Sequence, residues 1–116
     1  MVSKDAPLLH YRWGTGCDGW NLVEEPGLSV KQERMPPGTG EVIHVHEKAR
    51  QFFFILSGTA LFRVEGRDWV VAAGQGLQVC PGQQHRIRNE GPEALEFILC
   101  SQPNTNNDRI NCHEKD

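Results

Sequence analysis

Gly38-Thr39-Gly40-Glu41-Val42-Ile43-His44-Val45-His46-Glu47-Lys48-Ala49-Arg50-Gln51-Phe52-Phe53-Phe54-Ile55-Leu56-Ser57-Gly58 holds two apolar runs, a polar turn between them and a glycine at each end. Runs this short, bounded by turn residues, read as β-strands. Side chains alternate between faces along a strand, so His44 and His46 share a face one pleat repeat apart, roughly 7 Å. At that separation two ring nitrogens can converge on a single ion at about 2.0–2.1 Å each. Gln51 opens the following strand after the 47–50 turn and can present its side-chain oxygen beside them.

The same texture extends outward from this stretch. Short apolar or alternating runs cover residues 28–35, 41–46, 51–56, 59–64, 69–72, 77–79, 85–88 and 95–100. Between them stand Pro36-Pro37-Gly38, Ser57-Gly58, Glu65-Gly66, Gly74-Gln75-Gly76, Pro81-Gly82 and Glu90-Gly91-Pro92. Strands of this length and spacing predict an all-β fold, an antiparallel sandwich or barrel. No helical periodicity is long enough to compete. His85 stands at the head of one of these strands, after the 81–84 turn.

The whole chain has 116 residues, 38% of them hydrophobic and 23% charged, and a net charge of −3. That is one domain's worth of chain, here divided into an irregular N-terminal arm (1–27), a barrel (28–102) and a polar tail (103–116) expected to be mobile. The acidic balance gives no electrostatic footprint for nucleic acid and no basic cluster for an anionic membrane. No apolar run marks a secretion signal or a transmembrane helix. The four cysteines, Cys17, Cys80, Cys100 and Cys112, form no C-x-x-C pair and read as free thiols of a cytoplasmic protein.

Within 51–56, Gln51, Phe53 and Ile55 point one way while Phe52, Phe54 and Leu56 point the other. Both faces are apolar, whereas a barrel strand needs only one apolar face. An outward Phe52/Phe54/Leu56 face therefore predicts a homodimer interface; the alternative is that residues 1–20, with Trp13 and Trp20, fold over it. Alternation also nominates pocket-lining residues: Phe53 and Ile55 beside Gln51, and Ile87 and Asn89 beside His85. Arg86 and Arg88 are expected to face solvent. Which of Gln32 and Glu33 faces inward stays open.

These spacings resemble the cupin family. Its first motif, G-x5-H-x-H-x3,4-E-x6-G, is met by Gly38, His44, His46 and Gly58, with Gln51 in the glutamate position. Its second, G-x5-P-x-G-x2-H-x3-N, is met by Gly74, Gly82, His85 and Asn89, with Cys80 in place of the first proline. The resemblance implies a jelly-roll (double-stranded β-helix) barrel and one divalent transition metal (Fe, Zn, Ni or Mn) on His44, His46, Gln51 and His85. Three neutral imidazoles and an amide leave the ion's charge uncompensated, so the site is expected to take a small anionic oxygen ligand. The His-His-Gln-His pattern is similar to that of small cupins that linearise unsaturated uronates, but the 97–102 stretch lacks the carboxylate those enzymes look to need. It is also similar to three-His dioxygenases acting on diketones. The expected function is thus metal-dependent isomerase, lyase or dioxygenase chemistry on a small oxygenated molecule, or else a non-catalytic small-molecule or metal-sensing module. No residue of the sequence stands out as a general base.

Overall fold

The computed structural model describes residues 1–113. Eleven strands follow in chain order: β1 (Leu9–Trp13), β2 (Cys17–Glu25), β3 (Leu28–Met35), β4 (His44–Val45), β5 (Arg50–Ser57), β6 (Thr59–Val64), β7 (Arg67–Ala72), β8 (Gly76–Val79), β9 (His85–Arg88), β10 (Leu95–Gln102) and β11 (Ile110–Asn111). They form a six-stranded sheet, β1-β2-β3-β10-β5-β8, and a five-stranded sheet, β11-β4-β9-β6-β7. The named pairings are antiparallel throughout. Among the described residues no helix is long and apolar enough to cross a membrane.

The core lies between the two sheets and follows the alternation. On β5, Gln51, Phe53 and Ile55 are buried and Phe52, Phe54 and Leu56 are exposed. On β10, Leu95, Phe97, Leu99 and Ser101 are buried in the same rhythm. Phe53 packs edge-on against Phe62 of the opposite sheet at 5.0 Å between centroids and tilts against Phe97 at 5.7 Å. Aromatic pairs in this range add about 0.5–1.5 kcal/mol each beyond their burial. The turn between β5 and β6 needs glycine at position 58: φ is +80°, and a Cβ would stand 2.6 Å from the Ala94 carbonyl oxygen. Gly82, at φ +82°, makes the turn that returns the chain to His85.

Three expectations change. The 1–27 segment, read as an irregular arm, contains a hairpin, β1–β2, that extends the larger sheet through β3. Its physical cause is the Gly14-Thr15-Gly16 turn, with both glycines at positive φ, which lets residues 9–13 pair with 17–21. Within the 103–116 segment, read as a mobile tail, Ile110–Asn111 pairs with β4, and Asp108 is buried; residues 114–116 lie outside the described residues. Polar composition hid this because the segment is held by hydrogen bonds rather than by apolar burial. Arg86, expected in solvent, is buried, opposite Arg63 of the neighbouring strand β6; Arg88 is half-buried.

The hairpin does not cover the apolar outer face of β5. Two strands, β3 and β10, separate β2 from β5. Phe52, Phe54 and Leu56 remain 42, 37 and 43% exposed.

Candidate metal centre

Short β4 supplies His44, and His46 follows just beyond its end; β9 supplies His85 directly opposite His44 in the register. The three side chains are buried, and their nearest ligand atoms all lie within 4.8 Å of one another. Each ring is held by a backbone carbonyl at Nδ1: His44 by Val42 at 2.8 Å, His85 by Gln83 at 2.9 Å, and His46 by Asp108. A carbonyl oxygen only accepts, so each Nδ1 carries the hydrogen and each Nε2 presents a lone pair. That is the orientation in which backbone partners prepare histidines for a metal.

Electrostatics points the same way. Burial pushes His44 down to about 3 and His85 down to about 4, against the upward pull of their carbonyl bonds. Burial also lowers His46. All three imidazoles are therefore neutral near pH 7, the form that ligates.

Gln51 enters from the facing sheet. Its amide nitrogen donates to Ser101 Oγ at 3.1 Å, across the β5–β10 register. That bond turns Oε1 toward His85 Nε2, 3.1 Å away. With Nδ1 protonated, both of these atoms are acceptors, and two acceptors this close are best reconciled by a cation between them. The donor set thus fits a divalent transition ion.

Of these groups, His44, His46 and Gln51 border a cavity of about 230 Å³, lined also by Tyr11, Trp13, Lys31, Glu33, Glu41, Phe53, Leu99, Thr105 and Arg109. Of the four residues nominated as pocket-lining, the structure places Phe53 there. Ile55 and Ile87 are packed in the apolar core instead. Asn89 is fully buried and donates to the Met35 and Glu93 carbonyls. It borders a separate groove of about 660 Å³ near the 38–43 loop, which shares only Glu41 with the histidine cavity.

The remaining wall comes from residues that sequence reasoning missed or left open. Glu33, not Gln32, faces the cavity, and Tyr11 Oη donates to its Oε2 at 2.5 Å. Burial raises Glu33 above its ordinary value, against the downward pull of the Tyr11 hydrogen bond, Lys31 and Arg109. Glu41 is pushed up to about 7, first by burial and then by Glu33, and Arg109 stands 3.8 Å from it. Asp108 accepts from the backbone amides of Glu47, Lys48 and Ala49 at 2.8–3.1 Å. Although burial alone would raise it, those three bonds hold its carboxyl below the usual range. One residue therefore fixes His46 through its carbonyl and the loop leading to Gln51 through its carboxylate. The Gly-Thr-Gly hairpin turn was a usable signal for Tyr11; the sequence carries none for Asp108 or Arg109.

Two packed antiparallel sheets with three histidines at one end of the barrel define a double-stranded β-helix protein with a metal-competent centre. The chain belongs to the cupin family: the model of the cupin domain matches residues 31–101. An oxalate-binding protein of Thermotoga maritima is 34% identical over 65 residues, which are 56% of this chain and 54% of that protein. The crystal structure of a predicted oxalate decarboxylase, also from Thermotoga maritima, superposes with a TM-score of 0.79 at 24% identity, covering 90% of this chain and all of that one. An RmlC-like cupin from Shewanella frigidimarina reaches a TM-score of 0.82 at 19% identity, covering 91% and 92% of the two chains. At these identities the two structures speak for the fold alone.

Proposed function

We propose that this cupin holds one divalent transition metal on Nε2 of His44, His46 and His85, with Gln51 Oε1 as fourth ligand, and through it binds a small carboxylate-class anion. The observation that carries the reading is the set of three Nδ1–carbonyl bonds, which leave three neutral imidazoles aimed at one point. The likeness to an oxalate-binding protein supports the anion. When bound, the ion would supply Lewis-acid polarisation of a coordinated oxygen. The chain itself supplies the rest. Ser101 orients Gln51, Asp108 orients His46, and Phe53, Leu99 and Trp13 keep the cavity small and partly apolar. Lys31 and Arg109 place positive charge on its far wall, where an anion's second charged end would sit.

Carboxyl groups in the cavity, able to exchange a proton with a bound ligand, support an enzyme of isomerase or lyase type over a purely sensing module. Protein purified without chelator or histidine tag is expected to carry close to one equivalent of metal, and oxalate is expected to bind only to the metal-loaded form in calorimetry. Metal content below about a tenth of an equivalent, against the tight apparent binding usual for preformed sites, sinks the site. Oxalate binding equally well to stripped protein sinks the role given to the ion.

The exposed Phe52/Phe54/Leu56 face supports a homodimer. Phe54→Lys is expected to convert a dimer to a monomer in size-exclusion light scattering; an unchanged dimer removes that interface.

A further inference from the structure

Tyr11, Gly19 and Glu33 form one row across three strands: Tyr11 pairs with Gly19 in the β1–β2 register, and Gly19 with Glu33 in the β2–β3 register. Residues directly opposite one another share a sheet face. The middle member has no side chain, and the Tyr11 ring occupies its place. A Cβ on Gly19 would lie 2.0 Å from Tyr11 Cζ and 2.3 Å from its hydroxyl. Lying flat across the glycine, the phenol reaches Glu33 and donates to Oε2 at 2.5 Å. The Lys31 ammonium sits 5.5 Å from the same ring.

Glu33 is 9% exposed and lines the histidine cavity. Its other oxygen has no hydrogen-bond partner among the described residues. The titratable and charged groups near it are Tyr11 from β1, the Cys17 thiol from β2, Lys31 from its own strand, Glu41 from the 36–43 loop, His44 and His46 from the opposite sheet, and Arg109 from the C-terminal segment. Arg109 is shared with Glu41.

We propose that Glu33, with Tyr11 as its positioning residue, is the proton-carrying group of this cavity: it meets, as an acid, a carboxylate oxygen of the anion held at the histidine cluster. This rests on the anion reading above. An ionised Glu33 would repel such a ligand, whereas a protonated one donates through the oxygen that Tyr11 leaves unoccupied. The balance is simple: one proton passes from solvent to the Glu33 carboxylate as the anion enters, and no bond of the ligand is made or broken. Tyr11 cannot take the place of that proton, because its hydroxyl is committed to Oε2. The row thus supplies the acid that the sequence lacked, and it selects carboxylates over neutral ligands.

Two measurements test this. Oxalate is titrated into manganese-loaded protein near pH 7, in buffers of differing ionisation enthalpy, so that the dependence of the heat on buffer counts protons. The parent is expected to take up to about one proton per oxalate bound. Glu33→Gln keeps a donor, so it is expected to bind oxalate within about threefold of the parent, a difference below 1 kcal/mol, but without that proton. The second measurement needs neither metal nor ligand. Tyr11 is the chain's single tyrosine, so the tyrosinate absorbance of metal-free protein reports on it alone. In both Glu33→Gln and Gly19→Ala the phenol is expected to ionise at lower pH than in the parent. Absence of oxalate binding by the loaded parent overturns the anion reading. Normal binding with an unchanged proton count in Glu33→Gln, or lost binding in that variant, overturns the role of Glu33 alone. An unmoved tyrosinate titration overturns the row.

Discussion

The two walls of the cavity are built by opposite means. On the histidine wall each titratable side chain is tied to the backbone: three Nδ1 atoms rest on the carbonyls of Val42, Gln83 and Asp108. On the carboxyl wall side chains carry most of the ties, Tyr11 to Glu33 and Arg109 to Glu41, with one backbone bond from the Ile87 amide to Glu41 Oε1. Burial acts on both and drives them apart. It strips protons from the imidazoles, which are neutral without them, and raises the carboxyls, so that they take up a proton more readily than free ones. The histidine wall therefore offers lone pairs, and the carboxyl wall a place for a proton. A cavity whose walls differ in this way can hold a cation at one side and take up a proton at the other.

The largest effect is expected from removing part of the histidine wall. His46→Ala should leave less than about a tenth of an equivalent of metal after dialysis, because only two nitrogen donors and a weak neutral amide oxygen would remain. Retention of the parent's metal content would break the comparison, since the lone pairs would then not be what the wall is for. Next comes the support behind that wall. Asp108→Ala orphans the amides of Glu47, Lys48 and Ala49 together. With about 1–3 kcal/mol for each amide left unpaired and water replacing some of the loss, urea unfolding should show about 2–4 kcal/mol less stability. Metal affinity should fall about tenfold, as for other changes one step behind a ligand. Asp108→Asn, which keeps an acceptor, should recover part of both. Lost stability with unaltered metal affinity would show that the carboxylate holds the loop without positioning the ring of His46, which the Asp108 backbone carbonyl still holds in both variants.

The histidine wall was legible because its parts are local and periodic. His44 and His46 lie two residues apart on one face, Gln51 opens the next strand, and glycines 38, 58, 74 and 82 all adopt the positive φ that their turns require. The alternation of β5 placed Phe53 in the cavity and Phe52, Phe54 and Leu56 outside without any tertiary information. The same rule overreached for Ile55 and Ile87, since a face of the barrel is deeper than its cavity and alternation carries no depth. The carboxyl wall was illegible for another reason. Tyr11, Glu33, Glu41 and Arg109 come from four separate segments, and only the sheet order brings them together. Asp108 sits 62 residues from the histidine it orients, in a stretch whose Asn-rich composition gives no period to read. Such contacts are fixed by register and by hydrogen bonds, and neither leaves a hydrophobic pattern behind.

The smallest effect separates the walls by pH. Glu41 has an ordinary value of 4.5 and is pushed up to about 7 in the folded chain. Between those limits the native state holds a proton that the unfolded state has lost, so stability falls as pH rises through this window and levels off above it. The full shift would correspond to about 3 kcal/mol. Because Glu41 stands beside Arg109 and keeps 15% of its side chain exposed, about 1–2 kcal/mol is the expected cost once solvent screening is counted. The histidines work in the other direction. Their folded values are lowered, so the unfolded state binds protons first as pH falls below about 6.5, and stability is lost toward acid. In the parent the two trends oppose each other and flatten the profile. Glu41→Gln removes one of them. In metal-free protein the stability of Glu41→Gln relative to the parent should rise by about 1–2 kcal/mol between pH 4.5 and pH 8, read from paired urea unfolding curves. The histidine contribution is common to both proteins and cancels in that difference. A difference that stays constant with pH would mean that Arg109 outweighs burial at Glu41, and Glu33 would then be the one carboxyl of this wall that burial raises.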